Sequence, residues 1–429
     1  MSQSPTYVDA AWQKTRAAFV WTSILNAPFW AVFNMLPFIL YKDLHATALQ
    51  ITIIIILKPA VSLIALYWSS FIERRADRLL ANIIWARAIG HLPFLFFPFI
   101  DNPWYFIAAF GFYMALSRGT VPAWMEILKI NIPNNFRGRV FAYSNAISHV
   151  GAAIIPFALG GLMDGYAQSW RWIFPVAALI SLGAILFKLR IPALMQKSDD
   201  IEQNSVIPSP SLNQQLVNFR QQMLKPWKSA WKLICRRPDY THFQLGFMLG
   251  GSGLIIMQPS LPVFFMDKLD LSYTELAVAL TLCKGLGFAI SSSSWSRLLN
   301  KIDIYRFNSW VTLLAFMFPL CLLAAQGSLI WLYGGYILYG VMQAGSEMSW
   351  NLSGPLFAKD EDSSVYTNIN VMSVGLRGCF VPIIGSILAY FFHASGVMLI
   401  GSALCFVAAL CMAYYSRQER RLNFESVKE

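Results

Sequence analysis

Long apolar runs separated by short polar segments dominate this chain. Each run has about 20 residues or more, the length that an α-helix needs to cross the hydrocarbon core of a bilayer. A membrane β-strand would instead alternate apolar and polar residues over about ten positions. The continuous runs therefore predict helices, which make all their backbone hydrogen bonds internally. Twelve such windows occur, at 17–40, 47–71, 80–99, 103–126, 137–162, 170–189, 241–266, 273–296, 306–325, 328–354, 364–392 and 395–415.

The composition agrees with a membrane protein. Of the 429 residues, 56% are hydrophobic and 13% are charged, whereas soluble domains carry about 25% charged residues. The six cysteines form no Cys-x-x-Cys pair, and we interpret them as small core residues. The first run, Ala17 to Tyr41, is too long for a signal-peptide core of about 7–15 residues. We therefore interpret it as the first spanning helix.

The positive charges predict an orientation. The termini and every second loop hold 25 of the 33 Lys and Arg residues, whereas the opposite loops hold only Lys42, Arg171 and Lys268. Basic loops stay on the cytoplasmic side, so both termini are predicted to be cytoplasmic, in the plasma (inner) membrane, with an even number of helices. The basic clusters are not interleaved with aromatic residues on a polar surface, which argues against a nucleic-acid partner.

Residues 191–239 interrupt the apolar pattern and divide the chain. The first part of this segment is rich in Gln, Ser, Asn and Pro, which is typical of a flexible linker. The stretch from Leu216 to Ile234 places Trp227 and Trp231 among lysines, which predicts an amphipathic helix at the cytoplasmic membrane surface. We therefore predict a six-helix bundle over 1–190, a cytoplasmic linker over 191–239 and a second six-helix bundle over 240–429.

The two predicted bundles repeat each other in sequence. Pro37 aligns with Pro262 at an offset of 225 residues. At an offset of 226, three further identities occur, in which Gly119, Trp124 and Pro156 align with Gly345, Trp350 and Pro382. Repeats in the same orientation are related by a pseudo-twofold axis along the membrane normal. The predicted fold is an all-α integral membrane protein with twelve transmembrane helices in two pseudo-symmetric six-helix bundles.

This organisation resembles the major facilitator superfamily over nearly the whole chain. The segment Pro122-Ala-Trp124, followed by Pro133 and Arg137-Gly-Arg139, is similar to the family's junction between helices 4 and 5. The segment 68–78 sits where the family keeps a Gly-x-x-x-Asp-Arg-x-Gly-Arg loop, and it retains the charged residues without the glycines. The resemblance implies that helices 1, 4, 7 and 10 line a central cavity, flanked by helices 2, 5, 8 and 11.

Arg118 and Glu347 are the two charges that most need an explanation. Arg118 lies about fifteen residues into helix 4, where an arginine costs at least ~2.5–3.5 kcal/mol on insertion scales. It is either a substrate or coupling site or a structural ion-pair partner. Glu347 is the only acid in the middle of a predicted helix, with Gln343 and Asn351 one turn to either side. It either carries a proton or forms a salt bridge with Arg118 or Lys284.

Further cations accompany Arg118 inside the predicted helices. Lys58, Lys284 and Arg377 lie in helices 2, 8 and 11. If these cations share one cavity, its field is positive and an anionic organic solute is the natural ligand. Amide and aromatic side chains that suit an organic substrate are Asn34, Trp124, Gln258 and Trp350, for which ordinary helix packing is the alternative. A cytoplasmic gate is predicted from Arg74, Arg75, Asp77, Glu126, Arg137 and Arg139.

These features predict a secondary active transporter that moves a small organic solute, anionic in the leading interpretation, by alternating access with proton coupling. The sequence contains no Walker loop, Gly-x-Ser-x-Gly elbow or His-Glu-x-x-His pair, so no enzyme activity, cofactor or metal site is predicted. The predicted partners are the solute, protons and the lipid bilayer, and the protein is predicted to be a monomer. Two alternatives stay open, a drug or metabolite efflux antiporter and a non-transporting scaffold or sensor on the same fold.

Overall fold

The described part of the chain is helical throughout. The structure is a computed structural model, and it describes residues 5–72, 79–121, 123–124, 127, 131–132, 140, 151, 154–191, 227–358, 361 and 363–426. Within these ranges there is no β-strand. The all-α architecture predicted from the continuous apolar runs is therefore confirmed.

The N-terminal half, residues 5–191, contains helices α1 to α6. Their bounds are Pro5–Lys42 for α1, Ala48–Ile72 for α2, Leu79–His91 for α3 with a 3₁₀ continuation over Leu92–Phe99, Pro103–Gly119 for α4, Ile154–Gly165 for α5, and Trp170–Leu182 with Ala184–Lys188 for α6. Helix α4 starts where the sequence provides a start signal. The Asn102 side chain accepts a hydrogen bond from the Trp104 N–H at 3.0 Å, and Pro103 occupies the first helical position.

The C-terminal half, residues 227–426, contains helices α7 to α12. Their bounds are Pro238–Ile256 for α7 with a continuation to Lys268, Tyr273–Leu299 for α8, Ile304–Ala324 for α9 and Ile330–Ala358 for α10. The last helical stretch, Ser363–Ser426, is broken at His393, whose φ is 57°. We count α11 before this residue and α12 after it, because a positive φ cannot continue a right-handed helix.

Helices lie wherever the apolar windows predicted them, within the described ranges. Seven of the helical stretches there are long and apolar enough to cross a membrane, and α2 and α5 contribute the shorter apolar helices Ala48–Val61 and Ile154–Gly165. One of the seven is Asn368–Glu419, which includes the break at His393 and therefore holds two helices. Successive helices run in opposite directions. We call the end of the molecule with the α1–α2, α5–α6 and α7–α8 connections the outer face and the opposite end the inner face.

The two halves pack together along α2 and α11. Gly375 and Gly378 of α11 lie directly against Leu63 and Pro59 of α2, and neither site has room for a Cβ atom. Closer to the outer face, the hydroxyls of Thr52 and Ser386 form a hydrogen bond across the same interface. Aromatic side chains from both halves fill the core near the outer face, where Phe38 stacks on Phe265 with 6.0 Å between ring centroids.

A short helix precedes α7 where an amphipathic helix was predicted. It spans 227–236 among the described residues, and Ala230 and Leu233 are buried in a core cluster with Phe357 and Tyr366. Trp231 is 70% exposed on the opposite side. The apolar face of this helix therefore packs on the C-terminal half, and its exposed tryptophan leaves a surface suited to a membrane interface.

Candidate substrate cavity

A cavity of about 210 Å³ lies between the two halves. Helices α1 and α2 contribute one wall, and α7 to α10 contribute the rest. The lining residues are Pro37, Phe38, Ile55, Leu254, Met257, Gln258, Leu261, Pro262, Leu280, Lys284, Phe318, Tyr336 and Tyr339. The repeat-related prolines Pro37 and Pro262 both line it, as expected for a site at the axis that relates the two repeats.

Irregular backbone in α7 places Gln258 on this cavity. Helix α7 changes to a 3₁₀ turn over Gln258–Ser260 and to a π-helix over Phe264–Lys268. Pro259 and Pro262 explain the change, because proline cannot donate to the preceding turn and its ring clashes there. Broken helices at membrane depth are tolerated where they line a cavity. Gln258, predicted from sequence as a substrate residue, lines the wall at this break.

Lys58 forms an electrostatic cluster with one cation of each half, and one member of this cluster, Lys284, lines the cavity. Lys284 of α8 lines the cavity directly. The ammonium of Lys58 on α2 lies within electrostatic range of both Arg118 on α4 and Lys284. Lys58 and Arg118 are both exposed side chains. Lys58 is therefore near two of the other three helix-embedded cations singled out in the sequence. Lys58 and Arg118 are not among the residues that line the cavity.

Glu347 brings a negative charge close to one member of this cluster. It lies within electrostatic range of Lys284, which belongs to the same half. Its side chain is exposed and accepts a hydrogen bond from Gln343 at 3.1 Å, while Asn351 donates to its backbone carbonyl at 2.8 Å. The predicted row of Gln343, Glu347 and Asn351 on one helix face is thus present. No ion pair within 4 Å joins the described side chains of Glu347 and Arg118.

Arg377, the fourth helix-embedded cation, is directed at the backbone of α7. Its guanidinium donates to the carbonyl oxygens of Phe247 at 2.9 Å and Met248 at 3.4 Å. Gly251 faces the guanidinium, and a Cβ atom there would overlap it. Arg377 is only 9% exposed. In this arrangement it holds α11 against α7.

Trp124 and Trp350 both pack against neighbours within their own half. The Trp124 ring stacks on Phe19 of α1 with centroids 4.6 Å apart, and the Lys188 ammonium lies 4.9 Å from the Trp124 ring centre. Trp350 lies next to Phe247, with centroids 6.2 Å apart. Asn34, in contrast, is exposed on α1. The predicted gate residues Arg74, Arg75, Asp77, Glu126, Arg137 and Arg139 lie outside the described residues.

A polar network behind Arg118 was not predicted from sequence. Arg87 of α3 donates to the carbonyl and hydroxyl of Ser181 at 3.1 and 2.9 Å, and the Ser181 hydroxyl donates to Asn26 at 2.6 Å. The Tyr113 hydroxyl bonds to Asn26 and lies in electrostatic range of Arg118. The only sequence signal was an arginine within an apolar helix, because the contacts join four separate helices.

A second network at the inner face also escaped prediction. Arg237 bonds to Asp239 in a bidentate manner at 3.1 and 2.8 Å, and to the Tyr366 hydroxyl at 2.9 Å. Glu361 lies 3.6 Å from the same guanidinium and accepts from Tyr366 at 2.7 Å. Hydrogen bonding with Asp239 raises the pKa of Arg237 above its ordinary value. This network ties α7, α10 and α11 together at one end.

Comparison with known proteins identifies the fold. No curated protein sequence matches the chain. A POT family transporter solved in complex with 5-aminolevulinic acid superposes with a TM-score of 0.71 at 12% identity, over 94% of this chain and 96% of that one. The nucleoside transporter NupG superposes with a TM-score of 0.64 at 14% identity, over 94% and 98% of the two chains.

Structural similarity at 12–14% identity shows only the fold. The family is assigned from a sequence-based family model. The model for the Major Facilitator Superfamily matches residues 19–380, which is most of the chain. The match agrees with the apolar helices, the broken α7 and the cavity between two halves. This chain is an integral, multi-pass membrane transporter, and it belongs to the major facilitator superfamily.

Proposed function

We propose that this protein is a secondary active transporter that moves a small organic anion by alternating access, coupled to protons. One observation carries the proposal. Lys58 of the N-terminal half lies within electrostatic range of Arg118 in its own half and of Lys284 in the C-terminal half, and Lys284 lines the cavity between the halves. A solute held there touches both moving parts, as a transport substrate must.

The charge balance of the cluster favours an anion. Like charges 4 Å apart repel by roughly 4 kcal/mol at an effective dielectric constant near 20. Glu347 lies within electrostatic range of Lys284. A carboxylate or phosphate on the solute would place a further negative charge among these cations. Arg118 could hold such a group with two parallel hydrogen bonds.

The walls of the cavity favour a compact solute with an apolar body. Phe38, Phe318, Tyr336 and Tyr339 supply aromatic surface, and Gln258 supplies an amide. Binding sites for organic ligands combine mostly apolar walls with a few placed polar groups. A volume of about 210 Å³ suits a small molecule. The solute class we propose is a small organic acid with an apolar or aromatic portion.

Glu347 is the proposed proton carrier. Its carboxylate is exposed, within reach of both Gln343 and the field of Lys284. When Glu347 is ionised it partly neutralises Lys284, and when it is protonated the lysine charge becomes available to the solute. Proton binding and anion binding would then reinforce each other, as linkage requires for coupled transport.

The membrane orientation follows from the charge distribution. Most Lys and Arg residues fall at the termini and on loops of the inner face, which we therefore assign to the cytoplasm. We place the protein in the plasma (inner) membrane as a monomer. Residues 1–190 and 240–429 are the two bundles that would rock about the cavity, joined by the linker over 191–239.

Flux into proteoliposomes tests the proposal. Purified protein would be given an imposed pH gradient and labelled 5-aminolevulinic acid, benzoate, uridine and a cationic dye. We expect gradient-driven accumulation of a carboxylate and its loss in Lys284→Met, whereas Lys301→Met, which changes an exposed lysine in the α8–α9 loop, should behave as wild type. Preference for the dye, or equal loss in both variants, would contradict an anion site at Lys284.

A further inference from the structure

The first turn of α8 is capped by a residue from the other half of the molecule. Every helix begins with four backbone N–H groups that have no partner within the helix. In α8, Ser272 and Glu275 satisfy two of them through a reciprocal capping box, at 2.8 and 3.1 Å. The other two, at Tyr273 and Thr274, donate to the two carboxylate oxygens of Asp164 at 2.7 and 2.8 Å. Asp164 belongs to α5.

A glycine one turn earlier lets α5 reach this position. Gly160 and Asp164 are four residues apart and therefore lie on the same face of α5. A Cβ atom at Gly160 would lie 2.9 Å from the Cα of Thr274 and 3.0 Å from the carbonyl oxygen of Tyr273. Those neighbours are backbone atoms, which cannot rotate away. The outer end of α5 is thus seated directly on the first turn of α8.

The end of α1 also contacts the other half at the same face. The Tyr41 hydroxyl at the end of α1 donates to Asp267 at 2.5 Å. The Lys42 ammonium donates to the carbonyl oxygen of Leu271 at 3.2 Å. Asp267 lies in the last turn of α7, and Leu271 lies in the α7–α8 connection. Tyr41, Lys42 and Asp164 of the N-terminal half therefore hold the end of α7, the α7–α8 connection and the start of α8.

We propose that Asp164 is a detachable N-cap of α8 that sets the balance between outer-closed and outer-open states of the transporter. This inference rests on the alternating access proposed above. When the outer face opens, α5 must leave α8, and the Tyr273 and Thr274 N–H groups pass to water. The carboxylate loses two charge-assisted hydrogen bonds and its favourable place at the positive end of the α8 dipole. The cap thus stabilises the outer-closed state alone.

The Ser272–Glu275 capping box provides a matched control. It caps the same helix start but lies wholly within the C-terminal half, so opening the outer face does not disturb it. Removing either cap weakens the α8 terminus. Only loss of the Asp164 cap should shift the relative position of the halves.

Distance measurement between spin labels tests the proposal. The labels would replace Phe99 at the end of α3 and Ile330 at the start of α10, which are 75% and 77% exposed, with the six native cysteines changed to serine. We expect Asp164→Ala to raise the ratio of long to short label–label distances by about twofold to thirtyfold. This factor corresponds to the stability that a helix loses with its N-cap. Asp164→Asn should raise it less, because an amide oxygen still accepts one hydrogen bond. Ser272→Ala should leave it unchanged.

Hydrogen exchange adds a readout that needs no labels. In Asp164→Asn, a peptide covering 271–276 should exchange faster than in wild type. An unchanged distance ratio in both Asp164 variants, or an equal shift in Ser272→Ala, would overturn the proposal. The distance ratio is measured without solute and does not depend on a transport assay. A failure of transport would therefore count against the proposed function, whereas the distance ratio and the hydrogen exchange alone test the role of Asp164.

Discussion

Gly340 of α10 lies directly against the backbone carbonyl of Lys284 on α8. A Cβ atom on Gly340 would overlap that carbonyl oxygen, and the neighbouring pair of Gly287 and Ile337 shows the same close approach in the opposite direction. The two helices therefore touch through their backbones at the level of the cavity lysine. This contact fixes the position of Lys284 relative to Glu347, which lies two turns further along α10.

Gly340→Ala should therefore impair solute binding without touching the solute. The new methyl group must push the backbone of α8 away, and displacement of a binding group by about 1 Å can cost up to a hundredfold in rate. We expect KM for the transported anion to rise by roughly tenfold or more in flux assays. Gly334→Ala on the same helix has no atom within 4 Å of the added carbon and should keep the wild-type KM.

Glu347→Gln should uncouple transport from protons. The amide keeps the hydrogen-bonding shape of the side chain but cannot gain or lose a proton, so the Lys284 charge no longer depends on pH. We expect exchange of labelled for unlabelled solute to continue while accumulation driven by a pH gradient disappears. Asp270→Asn on the α7–α8 connection serves as the control, because asparagine tolerates its φ of 48°. Gradient-driven accumulation at the wild-type level in Glu347→Gln would exclude this residue as the proton carrier.

Replacing Arg118 should distinguish a solute-binding arginine from a structural one. Hydrogen bonds to charged groups contribute about 1.5–3 kcal/mol, so Arg118→Ala should weaken anion binding by roughly tenfold to hundredfold. Arg118→Lys should recover part of that loss, because lysine keeps the charge but not the planar fork. Binding of a neutral solute, measured by the same flux competition, should change little. An equal loss for neutral and anionic solutes would indicate a structural arginine.

Gly251→Ala tests the packing of Arg377. The added methyl group would overlap the guanidinium that donates to Phe247 and Met248. Overpacking of a filled interior costs about 1–3 kcal/mol, and the displaced arginine would also leave its carbonyl partners. The apparent melting temperature of the purified protein should therefore fall. Gly334→Ala, which replaces glycine in an open helical position, should leave it unchanged or raise it slightly.

Much of the fold could be predicted because its signal is local. A run of about 20 apolar residues determines a spanning helix without any knowledge of its neighbours. The spacing of Gln343, Glu347 and Asn351 likewise places them on one face of α10 by helical geometry alone. Proline disrupts the helix around it wherever it occurs, and α7 is irregular at Pro259 and Pro262.

The partnerships between helices could not be predicted in the same way. The sequence left both Arg118 and Lys284 as possible partners of Glu347, whereas the structure places Glu347 in range of Lys284. Arg377 has the same sequence signal as Arg118, an arginine in an apolar run. Its guanidinium nevertheless donates to a backbone carbonyl of α7. Asp164 sits at the end of α5 with nothing in its sequence neighbourhood to indicate α8. Such contacts depend on the rotation and crossing of whole helices.

Whether cations of both halves hold one anion is measured most directly by a double-mutant cycle. Affinity for the transported carboxylate would be determined by calorimetry for wild type, Arg118→Ala, Lys284→Met and the double variant. If both groups bind the same anion, each single change weakens binding by about tenfold or more, and the cycle gives a coupling energy of about 0.5–3 kcal/mol. Unchanged affinity in Lys284→Met, or effects that add within about 0.3 kcal/mol, would contradict a shared anion site.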